Sequence, residues 1–194
     1  MTETEPPPVP RSLWAINQMT AMEFSAFFAG VFEHSPWVAA KASLERPFPS
    51  KEALLGGMAK AVAAASADDQ LALLRAHPML GGEAAKRGEV TASSRAEQAG
   101  LGLDRLKGDE EAAFAAMNLA YQRRFGFPFI IAVRGQRDRA AILAALTRRF
   151  DSPPDAERQA ALGEVIKIAS FRLDALIDDD ASAGSGRGLG VSAL

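Results

Sequence analysis

No cysteine occurs anywhere in the 194 residues, which excludes disulfides, thiolate metal sites and a cysteine nucleophile. Histidine is almost as scarce. His34 and His77 are the whole supply, too few for a histidine-rich metal site, so no metal is expected. Any side chain that titrates near neutral pH in its ordinary state is one of these two. Neither charge sign dominates: 22 basic residues face 24 acidic ones for a net charge of −2, and no nucleic-acid partner is expected. No apolar run reaches the roughly 18 residues of a membrane span, so no membrane partner is expected either. The first ten residues lack the basic and apolar regions of a signal peptide. The last four, Val191-Ser192-Ala193-Leu194, do not spell the peroxisomal Ser-Lys-Leu signal. A cytoplasmic protein is the expectation.

What is present is rich in alanine, leucine and other helix formers, with β-branched residues sparse outside one short run. The composition predicts an all-α fold, a compact single-domain helical bundle. Residues 1–10, acidic and proline-rich, read as a disordered arm. Residues 11–178 read as the domain, and 179–194, Gly/Ser-rich after an Asp run, as a disordered tail. Thr20-x-x-Glu23 is a capping box opening a helix with Phe24, Phe27, Phe28, Val31 and Phe32 at helical spacing. Ser35-Pro36 predicts a capped start for a short helix over 37–44. Further helices are expected over 51–65, from Ser66 towards His77, from Asp109 to Phe125 with Gly126 as its stop, over 136–150 and over 154–177. Phe127 to Val133 is the one β-like run. Pro128 argues against a central strand there, so a short extended segment near 127–133 is expected. Its spare backbone N–H and C=O groups need partners, and a ligand rich in amides could supply them.

Several residues stand out chemically. In Arg75-Ala76-His77-Pro78-Met79-Leu80-Gly81-Gly82 the proline pushes His77 out of the helical region. His77 therefore belongs at a helix C-terminus, where the dipole favours the protonated ring, a seat for a general acid or base. Arg172 falls on the apolar face marked by Val165, Ala169 and Leu176. It is either an anion clamp, a structural salt bridge, or an arginine reaching back to the surface. Ser94-x-x-Glu97 reads as a second capping box. Asn118, inside the Phe114–Met117–Tyr121–Phe125 stripe, reads as a helix-to-helix hydrogen bond. His34 reads as an end-cap residue in a joint, and the arginines between 134 and 149 as mostly a solvated helix face.

Taken in order, five pieces resemble one family, the 2-oxo-4-hydroxy-4-carboxy-5-ureidoimidazoline (OHCU) decarboxylases of urate breakdown. They are Phe32-Glu33-His34-Ser35-Pro36-Trp37; Ala76-His77-Pro78; Ser94-x-x-Glu97-Gln98-Ala99-Gly100; Asn118-x-x-Tyr121-x-x-x-Phe125-Gly126-Phe127-Pro128-Phe129-Ile130; and Glu164-Val165-x-Lys167-Ile168-Ala169-x-x-Arg172-Leu173. The resemblance runs from about Leu13 to Ile177. It implies a helical homodimer that decarboxylates a small-molecule ureidoimidazoline to (S)-allantoin with no cofactor. It also implies a catalytic His77 with Glu97 and Arg172 beside it, and substrate contacts from Pro78, Ser94, Gln98 and the backbone of Phe129 to Ile131. The chain departs from the family's usual pattern at Met79, where aspartate commonly follows His-Pro.

That chemistry suits a chain without metal or pyridoxal apparatus. The implied substrate carries its carboxylate next to a ring C=N, so it supplies its own electron sink. The protein has to orient the scissile bond, stabilise charge on the ring nitrogen and deliver a proton to one face. Here His77 would transfer the proton. Glu97 would orient ureido or ring N–H groups and could raise the pKa of His77. Two rivals remain: a non-catalytic helical module that binds a ureide or a protein partner, and a lyase or hydrolase acting on another ureide.

Overall fold

The computed structural model describes residues 9–80, Ser94, Glu97 and 108–178. The expected arm, apart from Val9 and Pro10, and the expected tail lie outside the described residues, as do Gly81, Gly82, Gln98 and Gly100. Eight α-helices are present among the described residues: α1 (Leu13–Gln18), α2 (Ala21–Phe27), α3 (Trp37–Ala42), α4 (Lys51–Ala63), α5 (Ala67–Arg75), α6 (Gly108–Phe125), α7 (Arg139–Phe150) and α8 (Pro154–Leu176). The all-α expectation holds. Two-residue strands β1 (Arg11–Ser12) and β2 (Ile177–Asp178) pair in parallel, an element no periodicity announced.

Most helix starts follow local cap chemistry. Thr20 and Glu23 form the expected reciprocal box at α2. The Ser66 hydroxyl accepts from the Asp69 N–H at α5, and Gly126, at φ 79°, turns the chain after α6. In that left-handed region a side chain would be strained.

Helix α2 stops at Phe27, short of the expected Phe32. Residues 28–35 form turns in which Phe28, Val31 and Phe32 are still buried. The carbonyls of Gly30 and Val31 are turned to Arg172 instead of into a helix. At α3 the cap position falls on Pro36 with no side-chain cap, so the expected role of Ser35 is not the one observed.

The long α8 packs against α4 and α5 and touches α6. Between α6 and α7 the run Phe127–Ala132 is irregular and fully buried, as the sequence predicts for an extended segment with few strand partners. Its floor is aromatic. Tyr121 meets Phe129 edge-on at 5.3 Å between centroids and Phe125 at 4.6 Å, and Phe24, Phe28 and Phe32 belong to the same buried core. No helix among the described residues is long and apolar enough to cross a membrane.

Candidate active site

His77 lies two residues beyond α5, carried there by a backbone turn from His77 N–H to the Leu74 carbonyl. The ring is buried, and Nδ1 lies 3.0 Å from the Leu73 carbonyl. A carbonyl only accepts, so this contact assigns the proton to Nδ1 and leaves Nε2 as the reactive nitrogen. Two bonds fix the neighbourhood of this turn. Arg75 Nε donates to the Gly126 carbonyl at 2.8 Å, joining the end of α5 to the start of the extended segment. Asn118 Nδ2 donates to the Leu80 carbonyl at 2.9 Å. The Asn118 bond therefore steadies the loop after Pro78, and is not the helix-to-helix bond expected.

Arg172 reaches the same place from α8, and its N–H groups are committed to the protein. Nε and Nη2 take the two oxygens of Glu97 at 2.9 and 3.1 Å. Nη2 also reaches Glu33 at 2.9 Å and the Ser94 hydroxyl at 3.1 Å, while Nη1 donates to the carbonyls of Gly30 and Val31. Ser94 in turn donates to Glu33. Of the readings open for Arg172, the buried ion pair is the one formed. A guanidinium free to clamp an anion is not what this arrangement offers. The expected capping box at Ser94 and Glu97 is likewise corrected: both residues lie in helical backbone, and both side chains turn to the guanidinium.

The electrostatics follow from burial. Desolvation pushes the His77 pKa below its ordinary value. The Leu73 carbonyl and the Glu33 charge pull it up, Arg172 and His34 push it down, and burial prevails. The helix-end expectation of a favoured protonated ring is thereby overturned, because removing a charge from water outweighs a helix terminus worth about 1 kcal/mol. Of the carboxylates, Glu33 is the one whose charge raises the His77 pKa among the largest influences. For Arg172, burial alone would lower the pKa, but hydrogen bonding and charge from Glu97 and Glu33 outweigh it and hold the group cationic.

These side chains share one cleft of about 340 Å3, counting the part open to solvent. His77, Ser94, Glu97 and Arg172 are the polar members of its lining, and Pro78, Leu80, Ile130, Ile131, Val133 and Ile168 the apolar ones. Of the residues singled out from sequence, the cleft unites His77, Pro78, Ser94, Glu97, Ile131 and Arg172. Gln98 lies outside the described residues. The Phe129 ring is turned back onto Tyr121 and away from the lining.

Glu33, 2% exposed, is the member sequence reasoning did not assign. It stands in the first of the five motifs, and a carboxylate flanked by Phe32 and a histidine was the available signal. Among the described residues no group of three or more His, Asp or Glu side chains is placed to hold a metal ion. Chemically the cleft offers one basic imidazole nitrogen, one carboxylate aimed by an arginine, and an apolar wall.

Comparison with known proteins fits this geometry. The model of the OHCU decarboxylase family matches residues 17–174. The 2-oxo-4-hydroxy-4-carboxy-5-ureidoimidazoline decarboxylase of Haloferax volcanii is 43% identical over 162 residues, covering 84% of this chain and 94% of that protein. The decarboxylase of Mus musculus is 37% identical over 162 residues, covering 84% and 90%. Among solved structures, (S)-allantoin synthase aligns with a TM-score of 0.66 at 31% identity. That alignment covers 86% of this chain and 54% of the other, so this chain spans about half its length. OHCU decarboxylase in the presence of (S)-allantoin aligns with a TM-score of 0.58 at 25% identity, covering 77% and 94%. The match along nearly the whole described domain establishes that the chain belongs to the OHCU decarboxylase family.

Proposed function

We propose that the chain converts 2-oxo-4-hydroxy-4-carboxy-5-ureidoimidazoline to (S)-allantoin and CO2 in urate degradation, without a cofactor. The observation that carries this reading is the convergence of His77, Glu97 and Arg172 on one cleft, with Arg172 gripping Glu97 through two bonds. A binding module would not need that convergence.

The bond between the ring carbon and the carboxylate breaks, CO2 departs, and the electron pair forms a C=C bond as the ring imine takes its pair onto nitrogen. That nitrogen gains a proton from solvent. Because its pKa is lowered, His77 enters the cycle neutral, with Nε2 able to accept. It takes the proton of the 4-hydroxyl group as the ring carbonyl forms, and returns a proton to the neighbouring carbon from one side. Glu97, aimed by Arg172, accepts from ureido or ring N–H groups. Ser94, Pro78, Gln98 and the main chain from Phe129 to Ile131 complete the fit.

The domain of residues 11–178 would work as a homodimer, as the family resemblance implies, in the cytoplasm; light scattering on the purified chain tests the dimer. The activity is tested by generating the unstable substrate from urate in situ and following its loss together with the circular dichroism of the product. Uncatalysed protonation in achiral solvent gives a racemate. Faster loss with one enantiomer in excess is expected, whereas background decay to a racemate from folded protein would overturn the reading.

A further inference from the structure

A second buried ion pair lies at the root of the 127–132 segment, and the chemistry above does not use it. Glu157, 0% exposed on α8, receives the Tyr121 hydroxyl and the Arg149 guanidinium, whose Nε lies 2.9 Å from one carboxylate oxygen and 3.2 Å from the other. Arg149 Nη1 then donates to the Ile130 carbonyl at 2.8 Å, and its guanidinium sits 4.8 Å from the centroid of Phe129. The expected solvated face of α7 is wrong at this residue.

Two positions beyond Ile130, the Ala132 N–H donates to Glu164 at 2.8 Å, a carboxylate held in turn by Lys167. Along an extended chain, such as that at Ala132 (φ −69°, ψ 95°), main-chain groups of residues i and i+2 point one way and those of i+1 the other. Gripping Ile130 and Ala132 therefore turns the Ile131 N–H and C=O to the opposite side. Ile131 lines the cleft.

We propose that Arg149, backed by Glu157 and Tyr121, is a positioning residue that sets the Ile131 main chain for substrate recognition. The proposal rests on the reading of the cleft as the active site. Stability alone does not call for such a cluster, since well-packed apolar side chains often replace a buried ion pair without loss. What an ion pair adds is a fixed direction, because the planar guanidinium bonds the Glu157 carboxylate on one edge and the Ile130 carbonyl on another. Burial and the adjacent carboxylate push the Tyr121 hydroxyl far above its ordinary range, so it remains a donor at any working pH.

The test compares Tyr121→Phe, Glu157→Gln and Arg149→Lys with the wild-type full chain in the in situ assay, alongside thermal melts and amide NMR. Expected are a fall in kcat/KM of about 10- to 100-fold carried chiefly by KM, a lower enantiomeric excess, and displaced amide resonances at Ile131 and Ala132. A purely structural role would lower the melting temperature while leaving KM and enantiomeric excess at wild-type values wherever the variants are folded, and that result overturns the proposal. Should Arg149→Lys fail to fold, Tyr121→Phe, which loses one hydroxyl and keeps the ring, decides by the same criteria. An inactive wild type would fail the reading of the site itself. The amide resonances then decide alone: unchanged Ile131 and Ala132 signals in Tyr121→Phe overturn the positioning role.

Discussion

Arg172 and Glu97 meet edge to edge, Nε on one carboxylate oxygen at 2.9 Å and Nη2 on the other at 3.1 Å. That two-point grip fixes the plane of the carboxylate, which a single contact would leave free to rotate. In the proposed reaction Glu97 keeps lone pairs for the substrate's N–H groups while its orientation is set from behind. Arg172 is thus placed to act through Glu97.

Lysine cannot reproduce this fork, because it offers a point charge where two parallel donors are needed. Arg172→Lys should keep a positive charge between Glu33 and Glu97 yet lose at least tenfold in kcat/KM, equivalent to about 1.4 kcal/mol. Arg172→Met should go further and cost about 3–5 kcal/mol of stability, since it removes one partner of a buried ion pair. Urea denaturation of the two variants checks the order. A lysine variant with wild-type kinetics would show that the fork is dispensable.

His77 gives a prediction in pH. Its folded pKa lies below the ordinary 6.5 because burial disfavours the charged ring. The neutral, proton-accepting form therefore persists to lower pH than for an exposed histidine. The acid limb of kcat/KM, which reports the free enzyme, should fall with a midpoint below 6.5. Stability moves in the same direction. Between the folded and unfolded pKa values the unfolded chain binds more protons, so the contribution is fully present above pH 6.5 and is lost as pH falls through that window. His77→Asn should abolish turnover and flatten this part of the stability profile. Urea midpoints at pH 5 and pH 7.5 for both proteins measure it. Equal slopes would show that another group carries the titration.

The sequence made visible what depends on neighbours along the chain. Thr20 with Glu23, Ser66 with Asp69, and Gly126 after Phe125 each act within four residues, and their helix ends fell where expected. The family motifs placed His77, Glu97 and Arg172 in one site for the same reason that they were recognisable, a fixed order of residues. What remained hidden depends on partners far apart. Glu33 is 139 residues from Arg172, and its place between Phe32 and His34 does not by itself reveal that partner. Arg149 was masked by exposed neighbours such as Arg148, although it stands three and four residues after the buried Leu146 and Ala145. The same face argument that found Arg172 would have found it. The early end of α2 was also hidden, because the carbonyls of Gly30 and Val31 are claimed by an arginine that local spacing does not reveal.

Two adjacent glycines on α4 should respond oppositely to the same substitution. Alanine is favoured over glycine in a helix interior by about 1 kcal/mol, so either change gains that amount if space allows. At Gly56 a Cβ would meet nothing within 4 Å, and Gly56→Ala should stabilise by about 0.5–1 kcal/mol. At Gly57 the same atom would lie 2.9 Å from Phe48 Cε1 and 3.3 Å from its Cζ. Phe48 cannot easily retreat. The Asn17 side chain holds both its N–H and its carbonyl at 2.8 Å, and its ring is buried against Phe24. Overpacking of this kind costs about 1–3 kcal/mol, which exceeds the helix gain over most of that range. Gly57→Ala should therefore lower the urea midpoint while Gly56→Ala raises it. Both variants should keep wild-type kinetics, because neither position lines the cleft. A rise in both midpoints would mean that Phe48 yields and that the Asn17 clamp is softer than its two bonds indicate.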